Sequence, residues 1–217
     1  DNRVQLPTGE RIAYVSNFIG QNNNLLGAQT PKQLVFVDFD GSVSTQVAPG
    51  QTVTPFDLGI VAASLDGNES LLINGGNGVT SIVDNAMTVF STLPNTFSGQ
   101  RFPVQQVGAD LTQYLQADSG LFFTTVDPAL SGLRRDIDFT TLLVGTAPAG
   151  FGLLGLASQV DLANMDKGDE AILYMQNFTL FSGELSGNTT NRLNQMSRAI
   201  GNILAHELGH TISLSST

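Results

Sequence analysis

Residues 190–211 read TNRLNQMSRAIGNILAHELGHT, and this stretch decides the fold of the C-terminal part of the chain. Apolar residues recur in it at intervals of three and four, which predicts an amphipathic helix from Thr190 to at least His210. The apolar positions are Leu193, Met196, Ile200, Ile203, Leu204 and Leu208. We therefore expect a long closing helix with one face buried against the rest of the domain.

The predicted helix carries the only two histidines of the chain, His206 and His210. Residues four apart on a helix differ by about 40° in direction and by about one turn in height, so both imidazoles can bind one ion. Neutral imidazole is a good zinc ligand. Glu207 lies beside the first histidine, where a carboxylate can take a proton from a zinc-activated water and pass it to a leaving amine. Two capping histidines near a helix C-terminus are the alternative.

Upstream of this helix, β-branched and apolar runs indicate strands, one long run has helical period, and a second, shorter helix is expected. The strand-like runs are 34–39, 102–107, 121–126, 139–144, 152–157 and 171–175, and the helical runs are 79–93 and a shorter one around 56–64. Glycine interrupts the run at 152–157, which favours a bulged edge strand. The order of elements predicts an α+β chain with α/β-type layers, in which helices pack on a mixed sheet. Residues 1–31 are polar, and we interpret them as a loop-like N-terminal extension.

Composition narrows the classes of function. The chain has 217 residues, 41% of them hydrophobic, and a formal net charge of −10. Its nine basic residues are scattered, so no basic stripe favours nucleic acid. No apolar run approaches the roughly 20 residues of a membrane span. Cysteine is absent, which excludes disulfides and thiolate metal sites. The start at Asp1 predicts a processed chain that is secreted or extracytoplasmic, and nothing indicates an oligomeric state.

The stretch Ala205–Thr211 resembles the metzincin clan of zinc endopeptidases, and the order of strands and helices before it is loosely similar. The resemblance implies a zincin-like fold: a twisted, mixed five-stranded sheet with a backing helix and a C-terminal active-site helix. Residues 32–217 would form the N-terminal subdomain of a catalytic domain. The implied activity is zinc-dependent hydrolysis of peptide bonds, with Zn²⁺ on His206 and His210 and Glu207 as general base. A peptide or protein substrate would add to an edge strand. Run 152–157 is the candidate, with an ordinary core strand as an equal alternative.

Two departures from the family pattern concern the third ligand. The family places a glycine and then a third histidine at positions that are Ser213 and Ser216 here. A catalytic zinc site usually has three protein ligands, and a serine hydroxyl replaces imidazole poorly. Carboxylates of the loop before the last strand are other candidates, although a solvated acidic loop is favoured. They are Asp161, Asp166 and Asp169. The family's C-terminal subdomain is expected to be absent, so a catalytically impaired zincin-fold binding or surface-interaction module is the alternative function.

Overall fold

The structure is a computed structural model, and it describes residues 3–5, 11–14, 32–56, 77–92, 103–130, 137–148, 153–159, 166–178, 187, 189–212 and 214–216. Its strands are β1 (Arg3–Gln5), β2 (Arg11–Tyr14), β3 (Lys32–Asp38), β4 (Ser42–Val43), β5 (Thr52–Val53), β6 (Val104–Gln106), β7 (Gly120–Thr124), β8 (Thr140–Gly145), β9 (Gly155–Ala157), β10 (Glu170–Tyr174) and β11 (Leu214–Ser216). Its α-helices are α1 (Asn77–Thr92), α2 (Thr112–Gln116) and α3 (Thr189–Thr211), and Pro128–Leu130 forms a 3-10 turn.

A six-stranded sheet forms the centre of the fold, with the strand order β6-β7-β3-β8-β10-β9. Neighbouring strands are parallel throughout, except that β9 runs antiparallel to β10. The middle strands are buried on both faces, which explains why their sequences are continuous apolar runs rather than alternating ones. The predicted mixed α+β architecture is confirmed, as are all six strand-like runs. The sheet of five strands implied by the family resemblance is wrong for this chain, since β6 to β10 and β3 supply six.

Helices α1 and α3 lie side by side on one face of the sheet, as the helical period of their sequences predicts. They approach closely at Gly201, where a Cβ atom would stand 2.7 Å from the carbonyl oxygen of Ile82 and from Cβ of Asn85. Their buried side chains and the facing side chains of the strands form the main core. It includes Val35, Val37, Leu121, Phe123, Leu142, Val144, Ala171 and Leu173 of the sheet and Ile82, Phe90, Met196, Ile200, Leu204 and Leu208 of the helices.

The second face of the sheet is covered by shorter elements that the sequence did not predict. Tyr114 of α2 packs edge-on against Phe122, with ring centroids 5.5 Å apart. The β4–β5 hairpin places Val53 against Ile172 and Tyr174 at the other end of this face. Both faces of the central strands are therefore covered, and β9 stands at the edge of the sheet beside α3.

A separate three-stranded sheet joins the beginning and the end of the described chain. Strand β2 pairs antiparallel with both β1 and β11. The interpretation of residues 1–31 as loop-like is therefore wrong for 3–5 and 11–14, whose runs of three and four residues are too short for a strand pattern to be recognised in the sequence. The helix expected around 56–64 lies, beyond residue 56, outside the described residues. No helix in the described ranges has the length and apolar character needed to cross a membrane.

Candidate metal centre

The last turns of α3 bring the two histidines together, as their spacing predicts. The Nε2 atoms of His206 and His210 are 3.1 Å apart, and their rings are nearly perpendicular at 88°. Two nitrogens that bind one zinc ion at 2.0–2.1 Å in tetrahedral geometry lie about 3.3 Å apart. His206 is buried and His210 is half-buried. The separation of the two Nε2 atoms is therefore close to that of two ligands of a single zinc ion.

The same distance also fits a hydrogen bond between the two imidazoles. One Nε2 would then carry a proton and donate it to the other, and the tautomer decides which ring is the donor. Both arrangements need at least one neutral imidazole with its Nε2 lone pair directed at the other ring's Nε2 or at an ion between them. The close approach of the two Nε2 atoms is compatible with either arrangement.

Glu207 is held between α3 and the edge strand β9. Its side chain is only 5% exposed. A Cβ atom built on Gly155 would stand 2.5 Å from both Cγ and Oε1 of Glu207, so the glutamate side chain lies directly against the backbone of Gly155. The structure therefore places Glu207, which is adjacent in sequence to His206, against the backbone of the neighbouring edge strand.

The hydrogen-bond pattern of β9 leaves the main-chain N–H and C=O groups of two residues directed away from β10. The amide of Tyr174 donates to the carbonyl of Leu154 (2.9 Å), and the amide of Ser158 donates to the carbonyl of Glu170 (2.8 Å). Even-numbered residues of this segment therefore bond to β10. In an antiparallel pair the residues between them direct their N–H and C=O groups away from the partner. Gly155 and Ala157 are those residues, and none of the described strands pairs with that side of β9.

The negative charge of Glu207 also affects the ionisation of Tyr174 in strand β10. Burial raises the pKa of the Tyr174 phenol, and the negative charge of Glu207 raises it further. Tyr174 is therefore a neutral phenol throughout the physiological pH range. Its side chain is a buried, uncharged group on β10, the strand next to the edge strand.

The two described carboxylates among the proposed third ligands, Asp166 and Asp169, form no three-ligand group with the histidines. Asp169 is buried and accepts a hydrogen bond from Nε2 of Gln159 (3.0 Å), beyond the end of β9 that is opposite Gly155. Asp166 accepts from the amide of Gly168 (2.9 Å) in the same loop. Asp161 lies outside the described residues. Within the parts of the chain that the structure describes, no group of three histidine or acidic side chains is placed to hold a metal ion.

The chain does not continue as a helix to Ser216. Helix α3 ends at Thr211, whose hydroxyl donates to the carbonyl of Leu208 (2.9 Å). Ser216 lies in β11, where it pairs with Ile12 of β2. Ser213 is outside the described residues. The segment that carries the third histidine in the family is thus a strand in this chain.

The contact between Gly155 and Glu207 could not be read from the sequence. Glycine in a strand interior often marks a place where another group approaches closely, and the glycine-interrupted run 152–157 carried that signal. The identity of the approaching group depends on how β9 and α3 pack, which is a non-local property. The edge position of the run itself is confirmed.

Comparison with known proteins adds no relative. No protein-family model matches the chain, no curated protein shows significant similarity to it, and no solved structure matches it significantly.

Proposed function

We propose that this chain is a zincin-like zinc metallopeptidase domain, in which His206 and His210 hold the metal and Glu207 is the general base. The observation that carries the proposal is the convergence of the two Nε2 atoms to 3.1 Å on a helix whose next side chain, Glu207, packs against a sheet edge. In this interpretation residues 32–217 form the zincin-like unit, residues 1–31 are an N-terminal extension, and the protein is secreted or extracytoplasmic.

Glu207, His206 and His210 would each have a separate role in the hydrolysis of a peptide bond. A bound zinc ion supplies Lewis acidity, which polarises a carbonyl and makes a water molecule acidic near neutral pH. The carboxylate of Glu207 accepts the proton from water and delivers it to the nitrogen of the leaving amine. Burial beside β9 protects this carboxylate from bulk water, which strengthens its electrostatic interactions. His206 and His210 would each present an unprotonated Nε2 to the ion.

The edge strand would hold the substrate. The outward N–H and C=O groups of Gly155 and Ala157 can bond to an extended peptide, which would become the seventh strand of the sheet. Main-chain recognition of this kind selects an unfolded or flexible peptide rather than a particular residue. Leu153 and Leu156 are 41% and 40% exposed beside these groups and add apolar contact. The peptide would then pass the carboxylate that lies against Gly155.

The test is hydrolysis of an unstructured protein or a quenched peptide library by the zinc-loaded protein. We expect cleavage that a chelator abolishes and added zinc restores. Glu207→Gln should lower kcat by roughly 10²–10⁴-fold, because the amide cannot accept the proton. Its zinc content and its thermal unfolding should remain those of the native protein. Hydrolysis that survives this substitution would refute the assigned base.

The second candidate is a zincin-fold binding or surface-interaction module without catalysis. The absence of a three-ligand group in the described ranges and the strand at 214–216 favour it. The two candidates differ in zinc affinity. An active site should retain one zinc ion per chain through purification, and His206→Ala should remove it, whereas the binding module should hold zinc weakly and hydrolyse nothing.

A further inference from the structure

We infer that Gly155 is a positioning residue for Glu207: the missing side chain at position 155 gives the glutamate carboxylate its place against the edge strand. The inference rests on the proposed function, since it assigns a role to a residue outside the motif. The motif itself gives no indication of it, because 52 positions separate Gly155 from Glu207 (207 minus 155).

Three atoms of Glu207 occupy the space that a side chain at 155 would need. A Cβ atom there would lie 2.5 Å from Cγ, 2.5 Å from Oε1 and 2.7 Å from Cδ. Non-bonded carbon atoms prefer separations of 3.5–4.0 Å, so these contacts cannot be tolerated without movement. Either the carboxylate leaves its position or β9 moves away from α3. The crowding involves the whole end of the glutamate side chain, and rotation about its last bond does not relieve it.

Local conformation does not explain why position 155 is glycine. Gly155 is the first residue of β9 and pairs with Leu173 in the regular register of the strand. Glycine weakens a strand interior, because it loses more backbone entropy than other residues and offers no side chain for packing. Alanine would ordinarily stabilise such a position. The space taken by Glu207 is therefore the physical reason that favours glycine.

The contact also sets the distance between the base and the peptide-binding groups. The N–H and C=O groups of Gly155 are directed outward from the sheet, while its α-carbon touches Glu207. The carboxylate thus lies against the strand beside which an added peptide would run. A side chain at 155 would lengthen this separation, and a shift near 1 Å in a catalytic group can lower the rate by roughly 10²-fold.

The experiment is a double-mutant cycle between Gly155→Ala and Glu207→Ala, followed by thermal unfolding. Gly155→Ala in the native sequence should lower Tm by at least about 4 °C. In the Glu207→Ala background the added methyl group enters the space of the removed atoms, so Tm should stay unchanged or rise. Failure of Gly155→Ala alone to fold, with a folded double variant, also supports the contact. Equal Tm shifts in both backgrounds would overturn the inference.

Kinetics on the same variants then separate positioning from packing. Gly155→Ala should lower kcat by roughly 10–100-fold while its zinc stoichiometry remains that of the native protein. Gly201→Ala is the matched control, because its Cβ is crowded to 2.7 Å on the same helix but against α1. It should lose stability and keep its kcat. A native kcat in Gly155→Ala would refute the positioning role.

Different experimental results would refute the proposed function and the role of Gly155. A native protein that hydrolyses no peptide refutes the proposed function, and the Tm cycle then decides the Gly155–Glu207 contact by itself. Coupling in Tm with unchanged kcat in an active enzyme leaves the function intact and overturns the assigned role of Gly155.

Discussion

Glu170 shows how one buried carboxylate can organise a surface loop. It is 4% exposed at the start of β10, and residues 44–47 surround it with donors. The amides of Thr45, Gln46 and Val47 donate to it at 2.9, 3.3 and 3.2 Å, and the hydroxyls of Ser44 and Thr45 donate as well. This carboxylate holds the β4–β5 hairpin against the second face of the sheet.

Stability should depend on pH through Glu170. Burial raises the pKa of this carboxyl, but the hydrogen bonds from Ser44, Thr45 and Val47 together outweigh burial and hold the pKa below its ordinary value of 4.5. A group whose pKa is lowered by folding stabilises the protein above its unfolded pKa, and this contribution is lost as pH falls through the folded value. The window therefore lies below about pH 4.5.

Urea unfolding of Glu170→Gln at pH 7 and at pH 3 measures this contribution. We expect the variant to lose about 1–3 kcal/mol at pH 7, because the amide group of glutamine faces donors and leaves them unsatisfied. The deficit should shrink at pH 3, because this pH lies below the ordinary pKa of a glutamate carboxyl and the unfolded chain then binds a proton that the native carboxylate binds less readily. Asp84→Asn, at an exposed position on α1, should change stability by less than about 0.5 kcal/mol at either pH. An equal deficit for Glu170→Gln at both pH values would contradict the argument.

At the level of elements, two neighbouring positions of the edge strand β9 should respond to proline in opposite ways. The N–H of Ala157 is directed outward, and proline is tolerated in an edge strand at such a position. The N–H of Leu156 faces Ile172 of β10, with which it pairs, and its loss breaks the ladder. The two substitutions thus separate the outer side of the strand from the inner side.

Ala157→Pro should raise KM for an extended peptide by roughly five- to tenfold, because one main-chain hydrogen bond of about 1 kcal/mol is lost. Its fold, zinc content and kcat should change little. Leu156→Pro should instead lower the unfolding midpoint in urea. Michaelis kinetics and urea unfolding of both variants check the prediction. An unchanged KM in Ala157→Pro would show that the substrate does not add to this edge.

An element can be predicted from the sequence when the interactions that form it join residues close to one another in the sequence. Strand β3 could be predicted because 34–37 is a continuous apolar run with β-branched and aromatic residues, and α3 because its apolar positions keep helical spacing. The convergence of His206 and His210 needs only helical geometry. Strand β4 has two residues, both exposed, and its pairing with β5 depends on the Glu170 carboxylate from a distant part of the chain. No local pattern encodes that dependence.

At the level of the whole molecule, the small sheet joins the N-terminal segment to the segment after the histidine helix. Ile12 and Ala13 of the middle strand β2 pair with Ser216 and Ser215 of β11, and with Val4 and Arg3 of β1. Strands of three or four residues have little stability by themselves. The direction taken by the chain after Thr211 is therefore stabilised by residues about 200 positions earlier in the sequence (215 minus 13).

Proline at Ile12 and at Ala13 should affect the two partners of β2 separately. Adjacent residues of a strand direct their N–H groups to opposite neighbours, so one of the two variants loses a hydrogen bond to β11 and the other loses one to β1. We expect the first to speed amide exchange at 214–216 by roughly five- to tenfold, the equivalent of about 1 kcal/mol, and the second to act on 3–5. Exchange in β3 and β8 should not change in either variant.

Zinc affinity in the same two variants decides whether the segment after α3 takes part in the metal site. We expect it to change by less than about twofold, because Ser213 and Ser216 offer neutral hydroxyls, which are poor zinc ligands. His206 and His210 lie within α3 and keep their spacing when β11 is released. Isothermal titration with zinc measures the change. A loss of more than tenfold, confined to the variant that frees β11, would mean that this segment supplies a ligand, and the impaired-module alternative would then lose its main support.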